Sequence, residues 1–562
     1  MTRSERLKLR DLTQQEFNHA FDGYMRHAFP EDELRPLSCQ GRSRVRNPST
    51  ISDAYINDVL GNFSLTLVDS LDTLALMGDR ERFAEAIFNV IDVLPSFDID
   101  SVVQVFEVTI RMLGGLLSAH MIASDEGANL LGMAPVVSPN GRRRYSGELL
   151  GLAKDLGYRL LSAFEESPSA TPYSKVNLRH GVPEDSSFST CSAGAGTLLL
   201  EFAALSRLTN ETIFEDVARM AMHDIWSERS RIDLIGGGYN IRSREWEELH
   251  TGTGAGIDSF FEYLLKAAIY LDDEDSNTLF RSAYASLLEH SYDVEHGYFF
   301  YNVDIHSARL MDPMLDSLSA FFPGLMVLAG HVEAAESVYL AYYHLWRRYQ
   351  SIPESFNLFH HKTSYNSYPL RPEFIESTYY LYQATRDPFY LEVGRMVLND
   401  LIANQKTACG YAAIQNGGDV GLTDRMESFF LSETLKYLYL LFDEDNVVNA
   451  MDSNFVFTTE GHLLLPLPKR SHPSRASGQW ASPQRVLYDT ALVPPSLRSR
   501  DLSFENIKHR LGLSRLLAGD LVRTTNPSTS SGNNIVAATL GGFLYNGTCP
   551  AVKVLNSPAD CI

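Results

Sequence analysis

With 562 residues, 44% of them apolar, the chain can bury a large core, and because helical barrels grow by repeating one unit its length does not require several large domains. A formal charge of −22 excludes the cationic surface that nucleic-acid binding needs and leaves no electrostatic pull toward an acidic membrane. No apolar run approaches the ~20 residues that span a bilayer, and the charged opening MTRSERLKLRDL lacks the apolar middle of a secretory leader, so we expect no transmembrane segment here and a targeting segment that has been removed.

Apolar residues recurring every three to four positions predict about fourteen helices in the first 445 residues, separated by short Gly, Pro, Asp and Ser breaks. In chain order they fall near 12–28, 62–77, 81–94, 100–123, 146–166, 190–207, 211–227, 255–271, 277–291, 315–329, 331–349, 374–386, 389–406 and 424–442. Within 81–94, Phe83, Ile87, Val90 and Leu94 share one face while Glu85, Asn89 and Asp92 lie elsewhere. Fourteen helices pair into seven hairpins. Between pairs, GGGYNI (236–241), GYFFYN (297–302), CGYAAI (409–414) and HLLLPL (462–467) set aromatic or alternating residues beside glycine or a turn, which predicts short strands suited to line one mouth of a barrel.

Beyond residue 467 the character changes. KRSHPSRASGQWASPQ (469–484) and TTNPSTSSGNN (524–534) are polar and poor in apolar residues, and read as linkers, while ENIKHRLGLSRLLAG (505–519) reads as a short docking helix. We therefore expect a main helical domain at 1–467 and a less regular, partly ordered tail at 468–562.

Five cysteines, at 39, 191, 409, 549 and 561, are spaced too widely for a zinc cluster or a CxxC redox site. Cys191 reads as a buried thiol near the start of a helix. Cys549 and Cys561 are close enough to close a tail loop, whereas Cys39 can reach Cys409 only through the fold; in an oxidising compartment an odd count leaves one thiol over. Asn62, Asn210 and Asn546 each begin a glycosylation sequon, while Asn47 and Asn526 precede proline and do not.

Acidic residues recur within otherwise apolar helices, first at DSLDTLALMGD (69–79), then at FEVTIRMLGGLLSAH (106–120), DSLSAFFPG (316–324), YPLRPEFIES (368–377), MESFFLSETLKYLYLLF (426–442) and FTTEGH (457–462). Buried unpaired charge is costly, so this pattern points to carboxylates gathered in one pocket. Glu107 and Arg111 stand four apart, an ordinary helical ion pair in an extraordinary apolar setting where an acid can hold its proton. Pro372 suits a first helical turn, placing Glu373 and Glu376 at a helix N-terminus whose dipole favours the ionised form that a general base needs. Asp316 reads equally as an N-cap. Glu433 opens an apolar helix, Phe429 and Phe430 lie one turn earlier, where a ring can stack on a sugar or simply fill core, and Thr459 offers a hydroxyl and a carbonyl to a hard cation. Asp69 and Asp72 read as structural, starting an inner helix.

Taken in order, these motifs resemble glycoside hydrolase family 47, the class I α-1,2-mannosidases, over residues 12–467. FDGYMRHAFPEDELRPLSC (21–39) and DSFFEYLLKAAIYL (258–271) resemble the EDEM branch, the ER degradation-enhancing mannosidase-like proteins, with fungal members the nearest comparison. The resemblance implies an all-α fold, an (αα)7 barrel with short β-hairpin insertions, in agreement with the seven hairpins above. It also implies an inverting calcium-dependent exo-α-1,2-mannosidase of the endoplasmic reticulum lumen, trimming high-mannose N-glycans on misfolded glycoproteins for degradation. By residue, it makes Glu107 the general acid, Glu373 the general base and Asp316 a third catalytic carboxylate that shares with Glu107 the claim to protonate the leaving group. Thr459 becomes the Ca2+ ligand, and Arg111, Glu262, Arg371, Pro372, Glu376, Phe429, Glu433 and Glu460 line the mannose pocket or the calcium shell. Inversion requires acid and base ~6.5–9.5 Å apart with water between them.

One departure stands out. Processing enzymes of the family carry a longer segment with a substrate-reaching His, whereas IPESFNLFHHK (352–362) is shortened here and neither His360 nor His361 is assigned that place. The branch also implies a protein disulfide isomerase-type oxidoreductase as partner, which makes Cys39 and Cys409 candidates for a disulfide. The rival from another class is a lectin-like adaptor that binds mannose and recruits the oxidoreductase without cutting; the presence of all three carboxylates favours the enzyme.

Overall fold

The computed structural model describes residues 1–45, 56–293, 298–415, 421–467, 538–540, 543–547 and 552–554. Fourteen helices form its frame: α1 (Arg3–His27), α2 (Leu71–Leu76), α3 (Arg80–Val93), α4 (Gly114–Ala123), α5 (Glu148–Glu165), α6 (Leu199–Thr209), α7 (Ile213–Ser227), α8 (Asp258–Leu271), α9 (Glu274–His290), α10 (Phe322–Leu328), α11 (Val332–Tyr349), α12 (Glu373–Thr385), α13 (Pro388–Asn404) and α14 (Leu435–Phe442). They pack as successive pairs from α2–α3 to α12–α13, and α1 closes the circle by pairing with α14. The architecture is an α/α barrel.

Sequence character decides which ring a helix joins. α14 is buried along its whole length and α8 from its second residue onward, as expected of helices that are apolar all round, so both belong to the inner ring. By contrast, α3 buries only Phe83, Ala84, Ala86, Ile87, Phe88 and Val90, and its polar face points outward. On the inner ring α2 packs against α4 and against the π-helical turn Phe430–Thr434 that precedes α14. The segment Val105–Ala123 is long and apolar enough to cross a membrane by length and composition, yet 83% of it is buried among the other helices, as a core element would be.

Several expected helices are modified: 62–77 is split into Leu65–Asp69 and Leu71–Leu76, and 315–329 starts as the strand Met314–Asp316 and a 3-10 turn before its helix. The 100–123 segment starts as a strand, Val102–Gln104, paired with Lys175–Asn177, and then turns through a π-helical stretch, Thr109–Leu113. The 190–207 segment breaks at Thr197 after the glycines of Ser192–Gly196, residues that weaken a helix interior. The 424–442 segment becomes helical only from Phe430.

Of the expected strands, Gly238–Asn240, Ala413–Ile414 and Leu463–Leu464 fall within their motifs, whereas the strand expected at 297–302 begins only at its end, as Asn302–Asp304. The sheet that matters for chemistry orders Met314–Asp316, Ser355–Asn357 and Lys362–Tyr365, with Asp316 opposite Ser355.

Cys39 and Cys409 form a disulfide that ties the N-terminal hairpin Glu33–Arg35/Gln40–Arg42 to the segment following α13. Cys191, expected buried near a helix start, is a half-buried free thiol just before Ser192–Gly196, and burial of the thiol pushes its pKa up to about 11. Asn62 and Asn210 are exposed. In the tail, Ala538–Leu540, Phe543–Gly547 and Val552–Val554 form a small antiparallel sheet that sequence patterning did not predict, with Asn546 opposite Lys553. Cys549, Cys561 and the helix expected at 505–519 lie outside the described residues.

Candidate active site

Pro372 is the N-cap of α12, which makes Glu373 the helix's first residue and puts Glu376 one turn on. Arg371, just before the cap, grips Glu354 through Nε and Nη2 at 2.5 and 2.7 Å, and its Nη1 lies 3.8 Å from Glu373. Position at the helix N-terminus leads one to expect an easily ionised Glu373. Burial overrides it: the carboxyl is pushed up to about 8, with Arg371 pulling the other way and Glu354 and Asp316 adding to the rise.

Asp316 ends the strand Met314–Asp316 and is not the N-cap; Ser317 takes that place for the 3-10 turn Leu318–Phe321. Its carboxylate accepts the Leu318 N–H at 2.8 Å and the Ala255 N–H at 3.1 Å, and burial nevertheless raises its pKa. Glu354 sits beside it because the strands pair there: the Ser317 N–H donates to the Glu354 carbonyl at 3.2 Å and the Ser317 hydroxyl to its carboxylate at 3.0 Å. Sequence reading passed over Glu354, whose place depends on a strand register that no local pattern reveals.

Glu107 and Arg111 make the expected contact, Nε to Oε2 at 2.9 Å, and the same guanidinium also bonds the buried Glu460. Arg111 lies in the π-helical turn Thr109–Leu113, and Glu433 lies in Phe430–Thr434, a second such turn. Each turn slips the helix by a residue, a device common at functional sites. Both guanidiniums lie near the ring of Phe429, which is only 6% exposed, Arg111 at 5.6 Å and Arg371 at 6.0 Å from its centre.

Thr459 lines a small cavity of about 50 Å³ together with Glu262, Glu373, Glu376, Glu433 and Asp258. Lys266 lies beneath these acids, bonded to Glu262 and 3.7 Å from Glu376. The acids outnumber it. Burial pushes Glu376 up to about 8, against Lys266 and with Glu262 and Glu373 adding; it lifts Glu433 well above its usual range, with Glu460 and Glu376 adding, and Glu460 likewise, against Arg111 and with Asp69 adding. Gly461 (φ 68°) lets the Thr459 turn close on this cluster, since a Cβ there would lie 2.8 Å from Glu433 Cγ. Hard oxygen donors in negative excess suit Ca2+. Among the described residues no group of three or more His, Cys, Asp or Glu is placed to hold a metal ion.

Under the Thr459 turn, Asp69 and Asp72 are fully buried and paired. Asp72 accepts from Lys436 Nζ at 2.9 Å on both oxygens, and His462 lies 3.1 Å from Asp69 and 3.5 Å from Asp72. Lys436 also donates to the Gly461 carbonyl at 2.5 Å. This is the structural role expected for the two aspartates. Neither His360 nor His361 lines the cavity; they sit at the tip of the Ser355–Asn357/Lys362–Tyr365 hairpin.

The profile of glycosyl hydrolase family 47 matches residues 16–466. The chain belongs to that family. It is similar to Alpha-mannosidase I MNS4 of Arabidopsis thaliana, 46% identical over 83% of this chain and 71% of that protein. ER degradation-enhancing alpha-mannosidase-like protein 1 of Schizosaccharomyces pombe is 44% identical over 82% of this chain and 56% of its own length, and the human alpha-mannosidase-like protein 3 is 42% identical over 83% and 49%. The match thus spans about half the length of these last two relatives. The α-1,2-mannosidase from Trichoderma reesei superposes with a TM-score of 0.68 at 23% identity, covering 82% of this chain and 99% of that one, which shows the shared barrel. In this family 47 chain Thr459 and Glu373 line one cavity, Asp316 and Glu373 share the field of Arg371, and Glu107 is tied through Arg111 to Glu460; Glu354, Asp258 and Lys266 are the neighbouring residues that motif reading missed.

Proposed function

We propose that this chain is an inverting, calcium-dependent exo-α-1,2-mannosidase that trims high-mannose N-glycans on misfolded glycoproteins in the endoplasmic reticulum lumen and so generates a degradation signal. The observation that carries the reading is Glu373, at a helix N-terminus beside Arg371 and lining one cavity with Thr459, with Asp316 in the field of the same arginine and Glu107 tied through Arg111 to Glu460, the neighbour of Thr459. Glu373 takes a proton from water as it attacks the anomeric carbon, and Glu107 or Asp316 protonates the departing oxygen. Arg371 and Arg111 hold the acids in place, and both lie near the ring of Phe429. Thr459, with Glu262, Glu376, Glu433 and Glu460 behind water, would hold Ca2+, which when bound supplies positive charge for sugar hydroxyls and water.

The relatives' names support the ER degradation role. A protein disulfide isomerase-type oxidoreductase remains the proposed partner, with Cys39–Cys409 as a bond it could attack. The test is glycan profiling of a nine-mannose oligosaccharide and of a denatured glycoprotein, with and without such an oxidoreductase. Release of mannose that disappears in Glu373→Gln and on calcium chelation is expected. Tight glycan binding with no release under any of these conditions would give the site to a lectin-like adaptor instead.

A further inference from the structure

We propose that Tyr365 is an aromatic platform for the inner sugars of the glycan, those beyond the two residues joined by the bond that is cut, and that it stands on the sheet face that carries Asp316. It rests on the reading above, in which the pocket takes a terminal mannose, and gives the remainder of the oligosaccharide its place.

The pairing register fixes the face. Asp316 stands opposite Ser355 on the neighbouring strand, and Ser355 stands opposite Tyr365 on the third. Directly opposed residues project to the same side of a sheet, so these three side chains share one face. Two inter-strand spacings separate Tyr365 from Asp316, roughly 10 Å of backbone, a span longer than one pyranose ring. The ladder slips between Ser355 and Phe356, which leaves Ser364 as an extra residue on the third strand. Its hydroxyl lies 3.8 Å from Met314 Sδ, and Met314 is two residues from Asp316 on one strand, so Ser364 belongs to this face as well.

The opposite face is covered. Leu315 and Phe356 are buried, and Phe356 meets Tyr349 of α11 with ring centres 6.3 Å apart. The face carrying Asp316 is therefore turned away from α11 and toward the site, where Asp316 feels Arg371 and is felt by Glu373. Tyr365 is 50% exposed there. Among the described residues one other tyrosine is exposed, Tyr158, and it bonds Glu211 and packs on Phe214.

The cavity beside Thr459 and Glu373 is small, about 50 Å³, so an oligosaccharide enters it by its terminal residue and the sugars joined to that residue lie over the mouth. A pyranose presents an apolar C–H face edged by hydroxyls. Tyr365 matches both parts: its ring stacks on the C–H face, while its phenol and the hydroxyls of Ser355 and Ser364 alongside exchange hydrogen bonds with the rim. Such contacts are made equally in the ground state and the transition state, so Tyr365 acts on KM and leaves the chemistry to the acids.

The test compares wild type, Tyr365→Ala and Tyr365→Phe in calcium buffer on a nine-mannose oligosaccharide and on α-1,2-mannobiose, which has no inner sugars. Calorimetry measures binding of the nine-mannose glycan in the Glu373→Gln background, with thermal melts alongside. In Tyr365→Ala, KM and Kd for the nine-mannose glycan rise on the order of tenfold, while kcat, mannobiose kinetics and melting temperature stay put; Tyr365→Phe, which keeps the ring, stays close to wild type. A Tyr365→Ala variant that binds and cleaves the large glycan as wild type does, or that loses mannobiose to the same degree, overturns the platform and leaves the hydrolase standing. Tyr365→Phe as weak as Tyr365→Ala overturns the stacking. Wild type that binds the glycan and releases no mannose removes the hydrolase reading, and the calorimetric comparison then decides the platform by itself; a glycan that does not bind removes both.

Discussion

The floor and the mouth of the pocket both bury acids, on opposite terms. At the floor, Asp69 and Asp72 meet Lys436 and His462 at hydrogen-bond distance or close to it, and the pKa of each aspartate falls below the usual range despite complete burial. At the mouth, Asp316, Glu354 and Glu373 share Arg371 and Glu376 shares Lys266 with Glu262, and Asp258, Asp316, Glu373 and Glu376 rise. Burial alone therefore does not mark a functional acid. A carboxylate whose counter-charge is complete behaves as architecture, and one left in negative excess retains a proton to give or a charge for a cation to meet.

The largest expected effect sharpens that contrast. Glu373→Gln should cut mannose release by roughly 10²–10⁴-fold while leaving the melting temperature unchanged or higher, because it removes an under-compensated buried charge. At the floor the balance reverses: Lys436→Met strands Asp72 without its cation and should cost about 3–5 kcal/mol in a guanidinium titration, with the barrel destabilised before any effect on chemistry can be read. Equal damage to stability from both substitutions would erase the distinction.

Calcium gives a smaller, conditional effect. Millimolar Ca2+ should raise the melting temperature of wild type by mass action, chelation should abolish release, and Thr459→Val should lose both responses. An unchanged melting temperature with and without the ion would separate Thr459 from metal binding.

The smallest effect is a pH dependence of stability. Burial works against protonation of His462, yet Asp72 and Asp69 push its pKa up from 6.5 to about 9. Its contribution is therefore complete below about pH 6.5 and lost as pH rises through about 9. His120 and His344 do the opposite, for burial lowers each to about 4, so each penalises folding as pH falls from about 6.5 toward 4. Melting curves from pH 4 to 9.5 should show loss at both ends, and replacing His344 with Gln should relieve part of the acid loss without touching the alkaline one.

Much of the fold was legible in the chain. Helices such as α3, α5, α7 and α9 declare themselves by one apolar face, and their ends follow capping residues such as Asp79 and Asp273, whose side chains accept the Arg82 and Ser276 N–H groups. The strand Val102–Gln104 and the two π-helical turns were not legible, because their backbone answers to a distant partner strand and to the fit of neighbouring helices. At the site, Glu107, Asp316, Glu373 and Thr459 stood out through ordered motifs, whereas Glu354 and Asp258 look in sequence like ordinary loop and helix-start acids.

The sequence by itself determined which helices exist, which of them can lie inside, the family and the acids worth watching, since periodicity and motif are properties of neighbours along the chain. Only the tertiary structure decided which acids share a cation. It joined Cys39 to Cys409 across 370 residues, set Lys436 against Asp72 and Arg371 against Glu354, and closed the Gly254–Asp258 turn on Asp316. Charge compensation acts over a few ångströms in space, whatever the separation in sequence, and it is compensation that divides the structural aspartates from the reactive ones.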